Sequence, residues 1–264
     1  MHADQKSNPL LAAAALAVFV FLQAPLLIIA AAAFSDTTFL AFPPRGFTWD
    51  WFANIFEVSA FRRTFWLSLQ LAFLATTISL MLGIPAAYAM RKYGVRLPGF
   101  LSTVFVLPIL VPEIVFGFSM LQWLAADLRW PVFPTLLIAH SLIILPYSVR
   151  VVSASLATFD FAAQEAAVSL GCPPARAFFA VVLPNIRAGI LAAFILAFIT
   201  SLNNVPVSLF LIGPGVSTLP IQMLTYVENF FDPTVAALSV LLMLFTVVVM
   251  IVVERTLGIG YFVR

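Results

Sequence analysis

Six long apolar runs, separated by shorter polar segments, make up most of the chain. They cover approximately residues 9–34, 65–90, 99–125, 132–152, 187–210 and 234–254. A helix needs about 20 mostly apolar residues to cross the hydrocarbon core of a bilayer. A helix also satisfies its backbone groups within its own segment, whereas membrane strands span about 10 residues and alternate in polarity. The pattern therefore predicts an all-α, polytopic membrane protein with six transmembrane helices.

The composition of the chain also indicates a membrane protein. Of the 264 residues, 63% are hydrophobic and only 9% are charged, whereas about 25% of the residues in a soluble domain are charged. The net charge of +2 does not indicate a nucleic-acid partner. Residues 1–264 are interpreted as a single transmembrane domain without a soluble second domain. The single cysteine, Cys172, excludes an intrachain disulfide and is interpreted as a packing residue.

Lysine and arginine residues are distributed unevenly between alternate loops. Six spans place both termini on one side, and that side carries nine of the 13 basic residues: Lys6, Arg91, Lys92, Arg96, Arg150, Arg176, Arg187, Arg255 and Arg264. The opposite loops carry Arg45, Arg62, Arg63 and Arg129. Because basic residues are enriched in cytoplasmic loops, both termini and the interval 153–186 are expected to face the cytoplasm. The opposite loop 35–64 is rich in Trp and Phe, which suits an interfacial belt or a short helix on the membrane.

The interval 153–186 separates the fourth and fifth apolar runs. One apolar helical stripe is predicted at its start. It consists of Leu156, Phe159, Ala163, Ala166 and Leu170. Gly171, Pro173 and Pro174 would end that helix, and a second short helix over about 174–181 is expected to stop before Pro184. The residues predict a cytoplasmic helical hairpin, which either inserts into a cleft of a partner protein or rests on the membrane as an amphipathic connector.

The same segment resembles the EAA loop of the membrane-embedded permease subunits of binding-protein-dependent ABC importers. The family pattern is Glu-Ala-Ala, three residues, Gly, nine residues, a β-branched apolar residue, any residue, Leu and Pro. The matching residues are Glu165, Ala166, Ala167, Gly171, Val181, Leu183 and Pro184, with every spacing kept and valine in place of the usual isoleucine. The resemblance covers about residues 60–254 as the permease core and implies the type I permease fold of ABC importers.

The resemblance implies that this subunit works with others. Residues 153–186 would form the coupling loop that docks on the ATPase, through Glu165, Ala166, Ala167, Gly171 and Pro184. The chain has no Gly-x-x-x-x-Gly-Lys-Ser/Thr phosphate loop, so it is expected to be a transport subunit without a cofactor or an ATPase site of its own. The expected partners are two copies of the ATP-binding subunit, a second permease subunit, an external solute-binding protein and the lipid bilayer of a bacterial inner membrane.

Polar residues within the apolar runs are candidates for a solute path. Glu113 lies in the third run, where a carboxylate usually faces a cavity or a partner; a protonated or paired Glu that fixes helix packing is an equal alternative. Asn203 and Asn204 precede Pro206 in the fifth run, where a break in the helix is expected. We therefore predict that Glu113, Asn203 and Asn204 face the cavity between two permease subunits. His140 is interpreted as a packing residue rather than a proton relay.

The region around the Asn203–Asn204 pair resembles the subfamily that serves spermidine and putrescine, opines and phosphonates. Its polyamine members commonly carry an acidic pair at these positions, so the neutral pair argues against a polycation. A polyamine-, opine- or phosphonate-type small solute is expected. The alternative of a different class is an ion-coupled secondary transporter, which would need inverted repeats and intramembrane ion ligands. A membrane enzyme would need a catalytic cluster, and the sequence shows none.

Overall fold

The computed structural model describes residues 9–94 and 111–257, and these residues are mostly helical. In chain order the helices are α1 (Pro9–Ala32), α2 (Asp50–Glu57), α3 (Ser59–Lys92), α4 (Glu113–Met120), α5 (Val132–Ala157), α6 (Ala162–Ser169), α7 (Pro174–Asn185), α8 (Arg187–Leu202), α9 (Leu219–Asn229) and α10 (Thr234–Leu257). A π-helical turn, Leu121–Asp127, follows α4, and a 3-10 turn covers Ser208–Phe210. Residues 9–59 and 223–247 form one compact unit, and the other described residues form a second.

Four helices within the described ranges are long and apolar enough to cross a membrane, namely α1, α3, α5 and α10. The successive helices α7 and α8 form a fifth candidate, bent by 72°. Most of the third predicted run, 99–125, lies outside the described residues, and its described end contains α4 and the π-helical turn. The structure confirms an all-α fold with apolar spans, whereas the count of six stays a prediction.

The predicted loops contain two shorter helices. The helix α2 lies in the loop 35–64, as the sequence predicts for a short helix there. The helix α9 was not predicted, because Pro220 and Gln222 interrupt its apolar residues. The fifth run, 187–210, does not form one helix: α8 ends at Leu202, and the chain then turns. This break lies before Pro206, where the sequence predicts it.

Small residues allow α3, α5 and α8 to pack closely in the second unit. The hydroxyls of Ser79 in α3 and Ser148 in α5 are 2.7 Å apart and buried, and a Cβ at Gly83 would lie 3.1 Å from the Cβ of Ser148. A Cβ at Gly189 in α8 would overlap the side chain of Ser155 in α5. Apolar side chains from the three helices fill the space around these contacts, among them Leu71, Leu80, Leu136, Ile144, Ala193 and Ala197.

The first unit is held by polar contacts around α2. The Asn54 amide nitrogen donates to the Thr234 hydroxyl over 2.8 Å, and the Trp51 indole nitrogen donates to the carbonyl of Ser35 over 2.7 Å. The Tyr226 hydroxyl donates to Asp232 over 2.9 Å. Of these bonds, the one between Asn54 and Thr234 holds the start of α10 beside α2 within this unit.

Candidate coupling hairpin and solute path

The helices α6 and α7 form a hairpin that Gly171 makes possible. The N–H of Gly171 donates to the carbonyl of Val168 over 2.9 Å, and the N–H of Cys172 donates to that of Ala167 over 3.1 Å. Together these bonds form a Schellman cap, which requires a left-handed residue directly after the helix. Gly171 has φ +91°, a conformation that costs other L-residues energy. The glycine of the sequence pattern therefore ends α6 and turns the chain.

The prediction of one apolar stripe in the interval 153–186 is wrong. The helix α5 ends at Ala157, and the turn before α6 rotates the later residues away from the earlier ones. Leu156 is buried, Ala163 and Ala166 are exposed, and the Leu170 side chain is 89% exposed. Ala163, Ala166 and Leu170 are therefore exposed on the surface of the hairpin instead of packing with Leu156.

The prediction that the second helix stops before Pro184 is also wrong. The segment α7 continues to Asn185 through a π-helical turn over Phe178–Val182. In this turn the N–H of Leu183 donates to the carbonyl of Phe178, five residues back. Leu183 keeps helical angles, φ −57° and ψ −45°, although a proline disfavours such angles in the residue that precedes it. Packing of Val182 and Ile186 in the core outweighs that preference.

The five predicted coupling residues lie on this hairpin with different exposure. Glu165, Ala166 and Gly171 are exposed, Ala167 is half-buried, and Pro184 is exposed near the end of α7. Sequence reasoning missed Gln164, a polar residue directly before the Glu-Ala-Ala triplet. The structure buries Gln164 completely, with its Oε1 accepting from Lys92 Nζ over 2.7 Å. No sequence signal distinguishes it from the exposed polar residues beside it.

The structure brings two of the three predicted path residues together. The amide nitrogen of Asn204 donates to Glu113 Oε2 over 2.7 Å. Glu113 is the first residue of α4 and is half-buried, whereas Asn204 is only 5% exposed. A Cβ at Gly117 would lie 3.0 Å from both Cα and the carbonyl oxygen of Val207. The absence of a side chain there lets α4 pack directly against the backbone that follows α8.

Asn203 lies apart from this contact. It forms the C-cap of α8 through its backbone N–H, which donates to the carbonyls of Ile199 and Ser201, and its side chain is exposed. Asn204 satisfies the backbone at the break instead, because its Oδ1 accepts from the N–H of Val207 over 3.1 Å. The two adjacent amides therefore have different surroundings, and they do not form a paired site.

His140 connects α5 to the break after α8. It is completely buried, with Nδ1 2.8 Å from the Ser201 hydroxyl and Nε2 3.0 Å from the Ser208 hydroxyl. Ser208 donates its own proton to the carbonyl of Asn204 over 2.9 Å, so it accepts from Nε2–H. In the neutral imidazole Nδ1 then accepts from Ser201. Both ring nitrogens are occupied, which agrees with the packing interpretation.

Comparison with known proteins identifies the family. The family described as binding-protein-dependent transport system inner membrane component matches residues 79–256. The chain is 30% identical over 233 residues to the putrescine transport system permease protein PotI of Escherichia coli K12, covering 85% of this chain and 82% of the relative. It is 28% identical to the spermidine/putrescine transport system permease protein PotC of the same organism, covering 89% of each.

Solved structures show the same fold. A chain from a bacterial ABC transporter involved in the import of the acidic polysaccharide alginate superposes with a TM-score of 0.69, at 15% identity, over 94% of this chain and 95% of that one. A chain of the inward-facing MetNI methionine ABC transporter superposes with a TM-score of 0.60, at 19% identity, over 74% of this chain and 93% of that one.

These similarities distinguish the permease of an ABC importer from the ion-coupled secondary transporter. Members of this family are membrane subunits of importers driven by ATP, and their ATPase is a separate subunit. The ion-coupled secondary transporter is therefore set aside. The family implies an ATPase, a second permease and a solute-binding protein as partners. The chain belongs to the binding-protein-dependent transport system inner membrane components and is the permease subunit of an ABC importer.

Proposed function

We propose that the hairpin α6–α7 is the site where the ATPase docks on this permease. The exposed surface of α6 supports this proposal, because Ala163 and Ala166 allow the backbone of a partner to approach closely. Glu165 adds a charge at the same surface. The observation that carries the proposal is Leu170, whose 89% exposed side chain is fixed at the tip of the hairpin by the cap at Gly171.

The docking proposal also covers the number of ATPase copies and the orientation of the chain in the membrane. Each permease carries one such hairpin, so a permease pair would hold two copies of the ATPase. The excess of basic residues on one side supports an orientation in which the hairpin and both termini face the cytoplasm. Closure of the ATPase pair would then move the hairpin and shift the spans between inward-open and outward-open states.

The docking proposal is tested by Leu170→Glu in the assembled importer. Placing a charge at the tip would remove a buried apolar contact with the ATPase, and we expect the amount of co-purified ATPase to fall at least about tenfold. Leu128→Glu is the matched control, because Leu128 is also an exposed loop leucine but lies outside the hairpin. If Leu170→Glu retains the ATPase and instead alters only membrane association, the hairpin is a connector resting on the membrane.

We also propose that Glu113, Asn203 and Asn204 belong to the solute path and that the solute carries an amino group. Glu113 uses one carboxylate oxygen for Asn204, and its side chain remains partly exposed, so the carboxylate can accept from an ammonium group. The two relatives above are named for putrescine and for spermidine with putrescine, and both compounds are amines. A polyamine-, opine- or phosphonate-type solute with an amino group fits these observations, because Glu113 beside Asn204 supplies the acidic group that the neutral Asn203–Asn204 pair lacks.

Uptake by proteoliposomes that contain the whole importer tests the path. Glu113→Gln removes the charge with little change in size, and we expect the maximal rate of putrescine uptake to fall about tenfold. Asp127→Asn is the matched control, since Asp127 is an exposed carboxylate at the end of the π-helical turn. Unchanged uptake in Glu113→Gln would remove Glu113 from the path, and loss of assembly would show that it acts in helix packing.

A further inference from the structure

Gln164 connects the hairpin to a membrane-spanning helix that is remote from it in sequence. Its Oε1 accepts from Lys92 Nζ over 2.7 Å, and its Nε2 donates to the Tyr88 hydroxyl over 2.7 Å. Both partners belong to the last turns of α3. Within the described residues, these two bonds and a 3.0 Å bond from the Tyr88 hydroxyl to Gln164 Oε1 are the side-chain hydrogen bonds between α6 and α3. We refer to Gln164, Tyr88 and Lys92 as the Gln164 cluster.

The Gln164 cluster also contacts α7, and the residue beside it contacts α5. The Tyr88 ring packs edge-on against Phe178 of α7, with ring centroids 4.7 Å apart, and Lys92 Nζ lies 5.8 Å from the centroid of the Tyr88 ring. The neighbouring Arg91 donates from Nε to the Ser153 hydroxyl of α5 over 3.0 Å. The end of α3 is therefore hydrogen-bonded to both α5 and α6.

The bonds of Gln164 are the main polar attachment of α6 to α3, because most other residues of α6 are exposed. Ala162, Ala163, Glu165, Ala166 and Ser169 are exposed, whereas Gln164 has no exposed surface. Both ends of the Gln164 amide are occupied by groups of α3, so a shift of α6 that α3 does not follow would leave the completely buried Gln164 amide without these short bonds. Such bonds are costly to leave unmade, which favours movement of the two helices together.

We propose that Gln164 is a positioning residue that transmits displacement of the hairpin to α3. The chain itself joins α6 to α5 and α7, and the Gln164 cluster adds α3 as a third helix that must follow the hairpin. This inference rests on the proposed docking function. It differs from that function because Gln164 lies on the inner face of α6 and is not available to the ATPase.

The test compares Gln164→Leu with Gln164→Glu in the assembled importer with its ATPase and binding protein. Leucine removes every hydrogen bond of the amide, whereas glutamate keeps acceptors for Lys92 and Tyr88 at similar size. We expect Gln164→Leu to retain the ATPase and to keep basal ATP hydrolysis within about twofold. The number of putrescine molecules transported per ATP should fall at least about fivefold, and Gln164→Glu should restore most of it. Gln122→Leu is the matched control, because Gln122 is exposed in the π-helical turn.

A second variant establishes the route. Lys92→Met removes the hydrogen-bond donor to Gln164 Oε1. If both residues act through this bond, the double variant with Gln164→Leu should transport at least as many putrescine molecules per ATP as the worse single variant. An unchanged ratio of transport to hydrolysis in Gln164→Leu would overturn the proposal, and so would loss of the ATPase, because Gln164 would then only maintain the shape of the hairpin. Failure of the docking proposal is distinguishable, since it would appear as retained ATPase in Leu170→Glu.

Discussion

The hydrogen bond between Asn204 and Glu113 gives the sharpest quantitative prediction. A hydrogen bond to a charged group in a protein contributes about 1.5–3 kcal/mol, but bonds between helices in a membrane average about 0.6 kcal/mol and reach about 1.7 kcal/mol. The Asn204–Glu113 bond is short, at 2.7 Å, and its acceptor is a carboxylate. We therefore expect an interaction energy near the upper membrane value, about 1.5 kcal/mol.

A double-mutant cycle with Asn204→Leu and Glu113→Leu measures this energy, because leucine leaves no acceptor for the Asn204 amide. The free energy of unfolding of the purified permease in mixed micelles is compared for the wild type, the two single variants and the double variant. Asn204→Leu alone should cost more than the pair energy, because it also leaves the buried N–H of Val207 without its acceptor. The matched cycle uses Asn203→Leu, whose exposed side chain should show no interaction with Glu113. An interaction energy below about 0.3 kcal/mol for the Asn204 cycle would refute the reasoning, since independent sites add within that margin.

Three further predictions concern the hairpin, the orientation and the helix packing. Gly171→Ala should destabilise the hairpin by about 1–2 kcal/mol, and Gly171→Asn should destabilise it less; the measurement is the protease sensitivity of residues 158–186. Equal sensitivity of Gly171→Ala and the wild type would contradict the role of the cap. In a protein with Cys172 replaced, Ser169→Cys should react with an impermeant maleimide only from the cytoplasmic side and Ser217→Cys only from outside, and the reverse pattern would overturn the orientation. Gly189→Val should lower the yield of folded protein, because its side chain would meet Ser155 at a cost of about 1–3 kcal/mol, whereas Ala192→Val, on the exposed side of α8, should behave as wild type.

Long apolar runs were the most predictable part of this fold. The positions of α1, α5 and α10 follow from runs of about 20 apolar residues, because lipid imposes both their length and their helical backbone. The ends of helices were less predictable. Continuation of α7 through Pro184 depends on a π-helical turn that core packing stabilises, and no local residue preference indicates it.

The hairpin that carries the candidate coupling residues was predictable from the sequence, but its contacts with the rest of the protein were not. The helix breakers Gly171, Pro173 and Pro174 predicted the hairpin, and the Schellman cap gives the physical reason for the glycine. The buried position of Gln164 depends on Lys92 and Tyr88, which are more than 70 residues away in sequence. Periodicity within α6 therefore could not reveal it.

The unequal surroundings of Asn203 and Asn204 have a consequence for how such permeases diverge in evolution. Asn204 replaces missing helix bonds at the end of α8, so a substitution there changes folding before it changes the cargo. Asn203 uses only its backbone in the cap, and its side chain can vary at little structural cost. New solute preferences should therefore arise first at position 203, while position 204 stays restricted to residues that can still pair the N–H of Val207.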